Sequence, residues 1–280
     1  MCVILYRVVI LNILKISMTN TSLVGTDLIQ GIKSWRLWLL LGWQDIRLRY
    51  RRSYLGPWWI TISMFVTIVS LGFLYSNLFK LPINDFLPFL AIGMVVWTLI
   101  VTLITEGAAT FVESASYLKQ ISLPYSVFIL RTLTRNILIF FHNIIPVILV
   151  LLFFGTPITW ALSSLIMGLA IILFNGFCFG WILAVLGARF RDIMPIIASV
   201  MQIAFFLTPI IWAPKILPEK YQYLVNYNPF AQFIELIRQP LMGNWPTANT
   251  FIVVAIVSVI GVCIMLWLMQ RTRRRIIYWL

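Results

Sequence analysis

The hydrophobic and polar positions of this chain separate into long blocks rather than short alternations. A helix that crosses the hydrocarbon core of a bilayer needs about 20 mostly apolar residues, and six blocks meet that requirement: 58–79, 86–105, 136–154, 159–187, 193–213 and 249–269. Between Arg135 and Arg189 there is no Lys, Arg, Asp or Glu, and Gly155-Thr156-Pro157 supplies the turn that divides this interval into two helices. The pattern predicts an all-α membrane protein with six transmembrane helices.

Three segments outside these blocks carry a different period. Leu28, Ile32, Trp35, Leu39, Trp43, Ile46 and Tyr50 recur at steps of three and four after Thr26 and Asp27, a possible helix cap. Lys33, Arg36, Arg47 and Arg51 fall on the remaining surface, which predicts an N-terminal amphipathic helix over 27–52 lying in the membrane interface. Arg47, Arg49, Arg51 and Arg52, just before the first span, suit a phosphate-bearing head group. The stretch 113–123, ending at Pro124, predicts a connector helix of about two turns across the ends of spans two and three. Prolines 209, 214, 218 and 229 precede a stripe of Phe230, Phe233, Ile234, Ile237 and Leu241, with Glu235 and Arg238 on another part of the surface. Prolines interrupt helices, so this part predicts short re-entrant helices that form a lid before the last span.

The expected organisation is therefore an extension (1–26), the interfacial helix (27–52) and the transmembrane domain (53–280). Residues 1–17 are apolar but too short to span and show no small-residue cleavage site; they are either an interfacial extension or precede a true start at Met18.

Composition agrees with the block pattern. The chain has 280 residues, of which 61% are hydrophobic and 10% charged, with a mean hydropathy of +0.98, so a bilayer is the solvent. The net charge of +13 is distributed unevenly. From Met18 onward one side of the six blocks collects Lys33, Arg36, Arg47, Arg49, Arg51, Arg52, Lys119, Arg131, Arg135, Arg189, Arg191 and Arg271 with Arg273, Arg274 and Arg275, and the other only Lys80, Lys215, Lys220 and Arg238. The positive-inside rule then places both termini in the cytoplasm. Membrane lipids explain the basic charge without a nucleic acid partner.

Several chemistries are missing. Cys2, Cys178 and Cys263 have no metal-ligand or redox spacing, and His142 is the sole histidine, which excludes a site built on several imidazoles. As an intramembrane ionisable group His142 is either a packing residue or a functional one. No phosphate loop exists, because the dipeptide Gly-Lys does not occur. No cofactor is expected. Acids suited to a proton relay are almost lacking, with Glu106 at the end of the second span as the candidate, so energy is expected to come from a partner. Tyr75, Trp97, Phe205, Phe206 and Trp212 lie within or at the outer ends of spans, as interfacial anchors or as faces on which sugar rings stack.

Three stretches, read in order, resemble the permease subunit of polysaccharide-exporting ABC transporters of the ABC-2 type, the group that exports O-antigen, capsule and teichoic acid. They are Arg49-Tyr50-Arg51-Arg52-Ser53-Tyr54-Leu55-Gly56-Pro57-Trp58-Trp59, Tyr117-Leu118-Lys119-Gln120-Ile121-Ser122-Leu123-Pro124, and Phe206-Leu207-Thr208-Pro209-Ile210-Ile211-Trp212 followed by Asn228-Pro229-Phe230. The resemblance implies a homodimer joined to two copies of a separate ATP-binding ABC ATPase subunit in a bacterial inner membrane, exporting a polysaccharide linked to polyprenyl pyrophosphate. It implies that Arg49, Arg51 and Arg52 border the entry of the lipid pyrophosphate, that Tyr117, Leu118 and Lys119 dock the ATPase, and that the chain itself is not an enzyme. A drug or lipid exporter of the same type, an integral membrane glycan-modifying enzyme, and a channel or purely structural protein are the alternatives.

Overall fold

The computed structural model describes residues 24–51, 53–56, 58–157 and 159–280. Residues 1–23, with the alternative start Met18, and Arg52 lie outside the described residues. A helix α1 over 24–33 turns at Ser34 into α2 (Trp35–Arg49). There follow α3 (Trp58–Phe79), α4 (Ile83–Glu113), α5 (Ala115–Gln120), α6 (Tyr125–Phe153), α7 (Ser163–Arg189) and α8 (Ile193–Leu207). The chain finishes with α9 (Tyr223–Asn226), α10 (Pro229–Leu241), α11 (Ala248–Thr272) and α12 (Ile276–Trp279). No strand occurs among the described residues.

Among the described residues five helices are long and apolar enough to cross a membrane: α3, α4 with α5, α6, α7 with the turn before it, and α11. The expected span 193–213 is shorter: α8 ends at Leu207, and Thr208 is extended. Pro209 is the cause, because its ring forces the preceding residue out of the helical region. Fifteen residues reach about 22 Å, less than the roughly 30 Å hydrocarbon core. In contrast α4 and α6 are longer than expected, at 31 and 29 residues, or about 45 Å each. Their surplus at the basic end is where α1 and α2 pack.

Burial ranks the helices. In the most apolar stretch of α4 67% of residues are buried, against 17% in α3 and in α11. Thus α4 is the hub, touching α3, α6, α7, α8 and α10, while α3 and α11 show most of their apolar surface to the surroundings. Helices in hydrocarbon gain nothing from hiding apolar area from water, so close backbone approach takes over as the source of adhesion. The α4–α7 seam shows it. A Cβ on Gly107 would sit 3.0 Å from Gly180 Cα, and one on Gly187 would overlap the carbonyl oxygen of Ala108.

A Gly187→Val substitution therefore forces α4 and α7 apart and is expected to destabilise by more than the ~1–3 kcal/mol typical of overpacking. Gly25→Ala, at a position with open space around it, should stay within about 1 kcal/mol of wild type. Thermal unfolding in mild detergent compares the two.

Candidate functional site

At the basic end of the bundle the first helices are held by buried acids. The N-cap of α6 is Pro124, which has no side-chain acceptor, so the first N–H groups of α6 would be orphaned. Asp27, fully buried, supplies what is missing from almost 100 positions away: its carboxylate accepts from the backbone N–H of Tyr125 and Ser126 and from the Ser126 hydroxyl. Arg273 Nη2 lies 3.2 Å from the same carboxylate. The residue expected to cap its own helix thus caps a distant one, and ties α1, the start of α6 and the end of α11 together.

Eighteen positions further on, Asp45 takes both Nε and Nη2 of Arg131. Arg135 reaches Asp45 at 3.4 Å and donates from Nε and Nη2 to Glu106 Oε2 at 3.0 and 2.9 Å. Asn136 donates to the same oxygen at 2.8 Å, and Arg49 Nη2 lies 3.2 Å from Oε1. One network of two acids and three arginines therefore binds α2 to α4 and α6. Buried charges are tolerated only when paired and hydrogen-bonded. Small residues allow the approach: a Cβ on Gly42 would meet Thr134 Cβ at 2.8 Å.

This arrangement revises the amphipathic face. The protein-facing side of α1 and α2 holds Asp27, Gly31, Gly42 and Ile46, all buried, whereas Ile32, Trp35, Leu39 and Trp43 of the apolar stripe are exposed. Arg51 is exposed, but Arg49 is engaged with Glu106.

The connector α5 crosses from the end of α4 to the start of α6. Leu118 is buried among Phe111, Tyr125, Phe128 and Trp181. Tyr117 is 43% exposed, with Arg131 over its ring at 5.7 Å, and Lys119 is exposed. Of the three expected docking residues, Tyr117 and Lys119 point outward and Leu118 anchors the helix.

At the opposite end, Pro209 leaves the last carbonyls of α8 without helical partners, and side chains take them up. Trp212 Nε1 donates to Phe206 O at 3.1 Å, Asn228 Nδ2 to Leu207 O at 3.3 Å, and Arg238 Nη2 to Pro209 O at 3.0 Å. Asn228 also caps α10, its Oδ1 accepting from Phe230 N at 2.9 Å. Arg238 corrects the expectation of a surface position. It is 1% exposed, pairs with Glu235 at 2.7 Å and stacks 3.7 Å from the centroid of Phe89. The residue packs against Gly93 of α4, where only a glycine leaves room. Helix α10 sits against α4, α7 and α11, with Phe233, Ile234 and Ile237 buried.

The aromatics separate into two groups. Trp97 is buried, with Phe205 at 5.9 Å and Phe230 at 5.7 Å, and Phe205 contacts Phe206 at 5.5 Å. Phe206 is 60% exposed and Trp212 half-buried. Tyr75 stands apart, stacked on Phe79 at 5.6 Å. A cavity of about 830 Å³ opens at this end between α4, α10 and α11, lined in part by Asp85, Gln232, Glu235 and Gln239. His142 is half-buried and its Nδ1 lies 2.8 Å from Leu138 O, a local helix contact. No cluster of metal-ligating side chains occurs among the described residues.

The sequence profile of the ABC-2 type transporter family matches residues 36–242, from α2 through α10. The chain belongs to that family. Among curated proteins it is similar to an "O-antigen export system permease protein RfbA" of Klebsiella pneumoniae, 28% identical over 204 residues, covering 72% of this chain and 78% of the relative. A protein of the same name from Myxococcus xanthus is 24% identical over 170 residues, covering 60% and 65%. In this ABC-2 type protein, then, Thr208, Pro209, Trp212 and Asn228 form the joint between α8 and α10, and Leu118 seats α5.

Asp27, Asp45, Arg131, Arg135 and Arg238 were not singled out by the sequence as structural keystones. One signal could have found them: acids are scarce, eight in the whole chain against 21 Lys and Arg, so an acid near a span is expected to be paired with a basic residue. Glu106→Ala leaves Arg135 and Asn136 without their shared acceptor and is expected to cost about 3–5 kcal/mol. Glu113→Ala removes only a 3.8 Å contact from a largely exposed side chain, expected at under about 1 kcal/mol. Unfolding monitored by tryptophan fluorescence in detergent distinguishes the two.

Proposed function

We propose that this protein is the transmembrane subunit of an ATP-driven exporter that moves a polysaccharide linked to polyprenyl pyrophosphate from the cytoplasm across the bacterial inner membrane. The observation that carries the reading is the family match running unbroken through α2, the connector α5 and the α8–α10 joint, together with relatives named as O-antigen export permeases. The chain has no Gly-Lys dipeptide and so no phosphate loop of its own, and a separate ABC ATPase supplies the energy. In this reading α8 and the turn after it make the fifth of six spans, both termini are cytoplasmic, α1 and α2 lie at the interface with Trp35 and Trp43 in lipid, and α9 and α10 are re-entrant.

The interior between α4, α6 and α7 is filled by buried side chains. A sugar chain therefore travels along the uncovered faces of α3 and α8, and a second copy closes that path, which makes the working unit a homodimer with two ATPase subunits. Phe206 and Trp212, with Phe205 beside them, offer stacking faces along it, and Trp97 packs behind. In this reading Arg51, exposed just after α2, meets the pyrophosphate together with its sequence neighbour Arg52, and Arg49, paired with Glu106, borders the same entry. Tyr117 and Lys119 face the ATPase.

Purification of the tagged protein in mild detergent is expected to recover an ATPase subunit in equal amount, and Lys119→Asp to lose it without a change in melting temperature. Cells lacking the protein are expected to accumulate lipid-linked polymer on the cytoplasmic side. Isolation without any ATPase, under conditions that keep a known ABC complex intact, would sink the reading; recovery of the ATPase without polymer accumulation would move the cargo to a drug or lipid.

A further inference from the structure

Helix α12 is short and basic at its start, and it does not continue the direction of α11 outward. After α11 the chain passes Arg273, whose guanidinium reaches back to buried Asp27, and α12 then lies against α5 and the end of α7. Ile276, fully buried, shares a cluster with Leu118 of α5, and Trp279 receives the Arg189 guanidinium at 5.2 Å from its ring centroid. The inner sides of α5 and α12 are thus parts of one packed unit. The outer sides are Tyr117, Lys119 and Gln120 from α5, and Tyr278 from α12 with Arg274 and Arg275 from the turn that leads into it, all exposed, Tyr278 at 86%.

We propose that α12 is a second docking element for the ATPase subunit, extending the surface of α5 with the cationic pair Arg274 and Arg275 and the aromatic ring of Tyr278. The proposal rests on the reading of the protein as an ATPase-driven permease. Three observations choose this occupant. The chain has no phosphate loop of its own, so in that reading force enters from another protein at the basic end. The elements there that are not part of a span and are anchored on the bundle include α5 and α12, in contact with each other. The chain on the far side of each is tied to one carboxylate: Asp27 accepts from Tyr125 and Ser126 at the start of α6, which follows α5, and lies 3.2 Å from Arg273, which precedes α12. A partner for this surface presents acidic groups opposite Arg274, Arg275 and Lys119, and an apolar recess for a tyrosine, the residue type that most often anchors an interface.

The test uses the full-length tagged protein expressed in its own host, with the ATPase identified by peptides that carry a phosphate-loop sequence and by vanadate-sensitive ATP hydrolysis. The double substitution Arg274→Glu and Arg275→Glu, and separately Tyr278→Ala, are compared with wild type and with Lys119→Asp. The double variant is expected to lower the recovered ATPase about tenfold, with an unchanged melting temperature, since none of the three residues contributes to the buried cluster. A wild-type amount of ATPase on both variants, with Lys119→Asp still losing it, would overturn the second docking element and leave the exporter reading standing. If the double variant keeps its ATPase but loses affinity for vesicles rich in phosphatidylglycerol, α12 binds the anionic membrane surface and the proposal fails. If wild type itself brings down no ATPase, both the proposal and the reading beneath it fall.

Discussion

The Glu106 carboxylate sits where the long apolar run of α4 ends, and its surroundings show what a bilayer demands of a charge. In hydrocarbon an unpaired carboxylate or guanidinium costs several kcal/mol, so the chain brings Arg135, Asn136 and Arg49 to this one group and lets Arg135 continue to Asp45 and Arg131. Once the pairs are made, α2 has no freedom to leave α6, and the polar side of α2 is committed to protein. Its tryptophans are then left on the outside. The direction in which α2 faces is thus a consequence of pairing charges rather than of burying apolar area.

The same requirement, applied to backbone groups, shapes the other end. Pro209 ends α8 early and exposes carbonyls that water cannot reach inside a membrane. Trp212, Asn228 and Arg238 take them up, and because Asn228 and Arg238 belong to the start and middle of α10, the repair also fixes that helix. A motif that reads as an unremarkable run of apolar residues and prolines is a mechanical joint. Any movement of α10 must break or carry these bonds.

Between the two ends runs α4, about 45 Å of continuous helix with α5 and Glu106 at one end and Gly93, beneath Arg238, at the other. Its contact with α7 is through glycines that leave no slack. A displacement delivered to α5 therefore reaches the neighbourhood of Arg238 through a rigid body, without a relay of side-chain rearrangements.

The sequence alone determined what depends on composition along the chain. Apolar length identified five of the spanning helices, because crossing about 30 Å of hydrocarbon leaves little choice of residue. The period of three and four found α2 and the buried stripe of α10, and the absence of Gly-Lys left no phosphate loop. Proline positions marked where α8 had to be irregular, although the length of the apolar block 193–213 hid that the helix stops at Leu207. What only the tertiary structure decided was which side each face turns and which charge meets which. Asp27 caps a helix almost 100 residues away, Arg238 is buried instead of exposed, and Leu118 points inward while its neighbours point out. These facts are set by pairing between segments far apart in the chain, and a charge carries no mark in the sequence of the partner that will neutralise it.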